Sequence, residues 1–575
     1  MVPAYMKRSG MQPRHLRIIG IGAGASGLLL AYKLQRNFDN IELVIFEKNE
    51  GVAGTWWENH YPGCACDNFS HNYTYSFEPK TDYAATYSTS AEIRSYFTSF
   101  SDKYQLDKDI KLSHQVIGCE WNEDTATWTV TVRNIKTGAS SQSTCDVLVN
   151  ATGVLNAWKW PDVEGLDTFR GRLAHSAQWD SSIDLQDKVV ALIGNGSSGI
   201  QILPAILPKA KRVVNLIRSP AWVVTPFGNS EPRSFTQEEK DKYAADPHAH
   251  LALRKHVEAT NNGLFRIFLK NSPEARESRK IFSNQMREIL ASSGQADKLI
   301  PKWSLGCRRL TPGVGYLAAL THPKTQVVYE ALAAVTPTGV RSSSGQEFPV
   351  DVIICASGFD TSFKPRYPVI GRGGQDLRDL WADEPKGYMG LAVPELPNYF
   401  SFLGPNCPIG NGPVLSAIEA QSDYICKFLY RIQTEDIRTV APKMQAADEF
   451  MEHKDIFFET TVWSEDCNSW YKLKHNNKIS ALWAGSTLHY LRAVENPRYE
   501  DWDFTYIYGN RWSYLGNGLG PDDVDPQADM AWYIRDHDDS PIIGSKRVHE
   551  GEWVGNRGES VIGIGAQDED VAAEG

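Results

Sequence analysis

No stretch of this chain holds the roughly 18 consecutive apolar residues of a membrane-spanning helix, so no span is expected. It also lacks basic excess. A formal net charge of -11 argues against nucleic acid as a partner. The fourteen histidines show no H-E-x-x-H or comparable spacing, so no metal site is expected. Cysteine is sparse and dispersed: nine residues, an odd number, fit a reducing compartment and a cytoplasmic location. The closest pair, Cys64 and Cys66, has one residue between them, not the two of a redox C-x-x-C, which disfavours a dithiol. No signal peptide is read either, because the apolar residues that follow the basic N-terminus up to Arg17 belong to a strand.

What the chain does have is glycine in two informative places. The first is Gly22-Ala23-Gly24-Ala25-Ser26-Gly27, between the apolar run Leu16 to Ile21 and a helical pattern from Leu28 to Leu34. A second apolar run, Ile41 to Phe46, ends in Glu47, about 20 residues beyond the last glycine. The second place is Gly194-Asn195-Gly196-Ser197-Ser198-Gly199, after the run Val189 to Ile193 and before the pattern Ile200 to Ile206. Here the following strand, Val213 to Ile217, ends in Arg218, with Ser219 next. Strand, glycine turn and helix together let backbone approach a pyrophosphate, which then rests on the helix N-terminus. An acid after the second strand binds ribose hydroxyls and repels a 2′-phosphate; an arginine there pairs with one. Two unlike cofactors are implied, an unphosphorylated adenosine such as that of FAD and then NADPH.

At 575 residues the chain can build two or three cored domains. The fold class expected is α/β, with two Rossmann-like dinucleotide-binding domains, a helical insertion and an aromatic-rich C-terminal region. Residues 14–160 read as the first part of the FAD domain, with a β-rich insertion from Val116 to Arg133. Residues 161–345 read as the NADPH domain, with a polar helical excursion at about 235–300. The apolar strand starting at Val352 is expected to mark the return, so that residues 346–520 rejoin the FAD domain and add the aromatic region. Residues 521–575 read as an acidic tail, expected to be flexible.

Between the two glycine motifs lies Phe169-Arg170-Gly171-Arg172-Leu173-Ala174-His175-Ser176-Ala177-Gln178-Trp179-Asp180. With it the chain resembles the Baeyer–Villiger monooxygenases, whose F-x-G-x-x-x-H-[TS]-x-x-W signature occupies that position. Gly54-Thr55-Trp56-Trp57, Tyr61 to Asp67, Gly306-Cys307-Arg308-Arg309 and Tyr399 to Asn406 are similar to the same family. The resemblance covers about residues 15 to 430, and more weakly fungal members through about 520.

The resemblance implies an enzyme that uses FAD, NADPH and O2 to insert one oxygen atom beside a ketone, through a C4a-peroxyflavin. It implies Arg309 as the catalytic cation that favours the peroxide anion and the developing oxyanion, and Asp67 as the carboxylate that tunes it. Thr55, Trp56, Asp67 and Tyr73 would meet the flavin, and Trp57 and Asn68 would also bind cofactor. Ala65, Cys66 and Asp67 would face the nicotinamide half of NADPH, and Arg218 with Ser219 its 2′-phosphate. Gly194 to Ile200 would carry its pyrophosphate. His175 reads as a hinge or orienting residue, or as a satisfied core histidine. Departures are mild. Ser176 stands where most members have Thr, Arg308 where Lys is common, and Ala53 where Gly precedes Gly54. The alternative is a flavin enzyme that oxygenates nitrogen or sulfur, or hydroxylates. The aromatics from Trp463 to Tyr514 either pack the C-terminal region or line a pocket for a bulky polyketide or terpenoid ketone.

Overall fold

In a computed structural model, the described residues are 2–224, 231–407, 410–412 and 414–537. The described residues fall into two compact units, one within residues 13–511 and one within residues 2–12 with 512–537. The expected tail lies mostly outside the described residues.

In the larger unit, β1 (Leu16–Ile21) leads through the first glycine turn into α1 (Ala25–Asn37) and then β2 (Ile41–Phe46). β1 and β2 are parallel, in register from Leu16–Ile41 to Ile21–Phe46. Helix α1 is buried along Leu28, Leu29, Leu30, Ala31 and Leu34. Each fully buried leucine contributes about 1.5–3 kcal/mol of apolar transfer, which outweighs the modest propensity cost of Gly27 in the first turn. The short β3 (Ile110–Lys111) lies beside β2. Alternating apolar residues then form the antiparallel β4 (His114–Asn122) and β5 (Thr127–Asn134), the polar β6 (Ser140–Cys145) pairs with β5, and β7 (Val147–Asn150) pairs with β1.

The second sheet begins with β8 (Arg172–His175) and β9 (Val189–Ile193), followed by α2 (Ser197–Ile206) and β10 (Arg212–Leu216). Polar, well-capped helices follow: α3 (Gln237–Ala245), α4 (Pro247–Gly263) and α5 (Pro273–Leu290), with Thr236, Asp246 and Ser272 as caps. β11 (Thr325–Val328) joins β10. β12 (Leu332–Thr336), β13 (Gly339–Ser342) and β14 (Glu347–Pro349) form a small antiparallel sheet. β15 (Val352–Cys355) inserts between β9 and β8, giving the parallel order β11-β10-β9-β15-β8.

That placement differs from the expected return at about residue 346. An apolar strand does not declare which sheet it joins, and Val352–Cys355 completes the second sheet. β16 (Val369–Ile370) then extends the β4–β6 sheet, and the chain re-enters the first sheet with β17 (Tyr399–Ser401), in the order β17-β7-β1-β2-β3. No helix among the described residues is long and apolar enough to cross a membrane. Among them, no cluster of His, Cys, Asp or Glu could hold a metal ion.

Candidate active site between the two glycine turns

The first glycine turn has little room for side chains. Gly22 has φ +101°, and a Cβ on Gly27 would lie 2.0 Å from the Gly22 carbonyl oxygen. Gly24 meets only the Gly54 backbone, at 3.5 Å, and serves as the N-cap of α1 with no side-chain cap. The second turn repeats this: a Cβ on Gly199 would lie 2.5 Å from the Gly194 oxygen, while one on Gly196 would meet nothing within 4 Å. Gly196 likewise begins α2 with no side-chain cap. Both helices therefore present unpaired N–H groups to an open approach, which suits a pyrophosphate.

Glu47 is buried, and its carboxylate accepts from the backbone N–H of Ala23 (2.8 Å) and of Asn49 (2.8 Å). Burial raises its pKa, and these two bonds oppose the rise. The acid is thus anchored beside the first turn with lone pairs left for ribose hydroxyls. At the second turn the exposed Arg218 lies near Arg308, whose pKa is lowered by burial and by that neighbouring cation. Arg308 Nη1 donates to the Pro220 carbonyl (3.0 Å), and Asn195 Nδ2 donates to the Ser219 carbonyl (3.0 Å). Two gathered guanidiniums repel one another until an anion joins them, which fits a 2′-phosphate. The residues present fit both an FAD and an NADPH.

Long-range contacts bring the second turn to the loop after Tyr61. Tyr61 Oη donates to Gln201 Oε1 (2.8 Å), and Gln201 Nε2 donates to the Ala65 carbonyl (2.9 Å). Ser197 Oγ and Thr311 Oγ1 are 2.7 Å apart. Helix α2 is thereby tied both to the 61–67 loop and to the segment that carries Arg308 and Arg309. Gln201 was not legible as a site residue, since it lies just outside the glycine motif; Tyr61 opens the stretch to Asp67 that resembles the family, but its bond to Gln201 was not legible.

Arg309 and Asp67 form a fork. Nε donates to Oδ2 (2.7 Å) and Nη2 donates to Oδ1 (2.8 Å), with side chains 23% and 20% exposed. Asn68 Nδ2 adds a bond to Asp67 Oδ1 (3.1 Å). Burial by itself would lower the Arg309 pKa, but the charge of Asp67, its hydrogen bonding and the phenol of Tyr471 together raise it. The site therefore holds a fixed cation. It lines a cavity with Asp67, Tyr87, Phe268, Arg308 and Tyr471.

Nearby, Trp56 meets Tyr73 edge to face at 5.4 Å, and burial raises the Tyr73 pKa. Trp57 is covered by the Arg94 guanidinium at 3.9 Å, a packing contact, while Thr55 is exposed. Cys64 and Cys66 are buried thiols that donate to the carbonyls of Asn59 and Asn68, and burial pushes their pKa values to about 11 and about 12. Neither is poised as a thiolate. His175 is buried, stacked on Trp158 at 4.7 Å. Its Nδ1 accepts from the Ala177 N–H (3.1 Å) and its Nε2 sits 3.1 Å from Ser357 Oγ. Burial lowers its pKa to about 4, so it is a neutral link between β8 and the turn after β15.

Most of the C-terminal aromatics pack. Trp463, Trp483, Tyr490 and Trp502 are buried in apolar clusters, whereas Trp512 is 60% exposed. Cys307 is bonded to Cys467, 160 residues away, a pairing that their separation in sequence hid.

The flavin-binding monooxygenase-like family profile matches residues 15–232. The chain is 40% identical over 538 residues to the FAD-binding monooxygenase tazF of Aspergillus terreus, covering 91% of this chain and 95% of that one. It is 30% identical over 476 residues to a Baeyer-Villiger monooxygenase of Pseudomonas aeruginosa, covering 82% of this chain and 88% of that one. Its fold is similar to the crystal structure of cyclohexanone monooxygenase from Rhodococcus sp. Phi1 bound to NADP+, with a TM-score of 0.75 and 26% identity over 86% of this chain and 100% of that one. With the glycine turns, the His175 segment and the Arg309–Asp67 fork, these likenesses place the chain in the flavin-binding monooxygenase family, as a flavin-dependent monooxygenase of the Baeyer–Villiger type.

Proposed function

We propose that this enzyme uses NADPH and O2 to insert one oxygen atom beside a ketone, giving an ester or lactone, NADP+ and water. The observation that carries the reading is the Arg309–Asp67 fork, which lines one cavity with Tyr87, Phe268, Arg308 and Tyr471. Bound FAD, reduced by NADPH, would supply oxygen activated at its C4a carbon. The first sheet would hold FAD through Gly22, Gly24, Gly27 and Glu47, with Thr55, Trp56, Trp57, Asn68 and Tyr73 toward the flavin ring. The second would hold NADPH through Gly194 to Ile200, Arg218 and Ser219, with Ala65 and Cys66 toward its nicotinamide.

Arg309 keeps oxygen in its anionic, nucleophilic form and stabilises charge on the substrate's carbonyl oxygen. Asp67 orients the guanidinium through both oxygens. Heteroatom oxygenation has no carbonyl oxyanion and needs no such cation. Phe69, Tyr87, Phe268 and Tyr471 on the cavity wall support a bulky, ring-containing ketone of the polyketide or terpenoid kind. The test is stopped-flow absorbance: reduce the flavin with NADPH, mix with O2, and add ketones or thioethers. Faster flavin reoxidation with a bulky ketone, coupled to ester, supports the reading; reoxidation to free hydrogen peroxide with every ketone refutes it.

A further inference from the structure

Of the aromatics between Trp463 and Trp512, Tyr471 alone among the described residues lines the cavity that holds Asp67 and Arg309. It is 2% exposed, and its phenol lies beside the Arg309 guanidinium, whose charge acts on it. The fold brings it there firmly. The Cys307–Cys467 disulfide joins the segment two residues before Arg309 to the segment four residues before Tyr471. Ser304 N donates to Glu465 Oε2 (2.7 Å), the Lys472 ammonium donates to the Glu465 carbonyl, and Ser480 N donates to the Tyr471 carbonyl (3.0 Å).

Valence then fixes the direction of any hydrogen bond between the two. A guanidinium only donates, so toward Arg309 the Tyr471 oxygen can only accept and its single proton points elsewhere. Both Asp67 oxygens already accept from Arg309, and Asn68 takes a further position. Burial pushes the Tyr471 pKa to about 12 despite the adjacent cation, so the proton is in place at neutral pH.

We propose that Tyr471 is a catalytic hydrogen-bond donor, whose hydroxyl accepts from Arg309 and points its proton at the substrate's carbonyl oxygen as negative charge develops there. The inference rests on the ketone reading above. No bond to the phenol breaks; the proton stays on Tyr471 and the hydrogen bond strengthens as the carbonyl oxygen gains charge.

Tyr471→Phe keeps the ring and removes the donor. FAD content and melting temperature would first show that the variant is folded. The probes are a phenyl-substituted cyclobutanone, whose ring strain favours oxygen insertion, and methyl phenyl sulfide, which has no carbonyl oxygen to stabilise. The expected result is about a 10²-fold fall in ketone turnover, with sulfide oxygenation and anaerobic flavin reduction by NADPH unchanged within about twofold. Binding of the cyclobutanone to the oxidised enzyme, read from the flavin spectrum, should weaken as well. Unchanged ketone turnover overturns the assignment. So does an equal fall with both probes, the result expected if Tyr471 only packs the site. If the wild type oxygenates the sulfide but not the ketone, the functional reading fails by itself. The binding measurement still decides the Tyr471 assignment: equal affinity in wild type and variant overturns it.

Discussion

Replacing Arg309 by Ala should separate the two halves of the reaction. The guanidinium is engaged by Asp67 at 2.7 and 2.8 Å and opens on the cavity with 23% of its side chain exposed. A unit charge about 4 Å from a developing oxyanion, at the effective dielectric of about 20 that suits a partly open site, contributes roughly 4 kcal/mol. At about 1.4 kcal/mol per tenfold, that is a loss near 10³-fold in ketone turnover, at the upper end of what removing one oxyanion donor costs. The variant also leaves Asp67 with Asn68 as its recorded partner, which should lower stability by about 1–3 kcal/mol. Flavin reduction by NADPH does not use this charge and should survive. Arg309→Lys should recover only part of the loss, because an ammonium cannot bind both Asp67 oxygens in one plane. The assay is anaerobic stopped-flow reduction followed by quantification of ester from single-turnover mixing with O2. Ester formation by Arg309→Ala within about fivefold of wild type would refute the electrostatic reasoning outright.

Arg218→Ala should erode the preference for NADPH over NADH by about 1–3 kcal/mol, measured as the ratio of kcat/KM values; an unchanged ratio would place the 2′-phosphate elsewhere. Cys64→Ser should leave NADPH-dependent flavin reduction intact, since the thiol is buried and its pKa is pushed to about 11; its abolition would revive a dithiol mechanism. His175 should make the fold acid-sensitive. The unfolded imidazole takes a proton near pH 6.5, the folded one only near 4, so this contribution is complete above 6.5 and is lost as the pH falls toward 4. Melting curves of wild type and His175→Gln should therefore converge over that range; a constant gap would show that the histidine does not titrate on unfolding.

Local features of the sequence determined much of the scaffold. Leu16–Ile21, Ile41–Phe46 and Val189–Ile193 are strands over the residues their apolar runs mark, and the polar stretch around 235–300 is helical. Period, glycine spacing and the residue ending the second strand act within some 30 neighbouring residues, the span of one βαβ unit. Arg309 and Asp67 were legible too, but only as two separate motifs that resemble a family's. Tertiary structure decided what joins across distance. It placed Val352–Cys355 in the second sheet, closed the Arg309–Asp67 fork over 242 residues, paired Cys307 with Cys467 and selected Tyr471 from a dozen similar aromatics. An apolar strand can pair with either sheet, and an aromatic ring packs as readily as it lines a cavity. Which partner each finds is set by closure of the whole chain, and no local pattern encodes it.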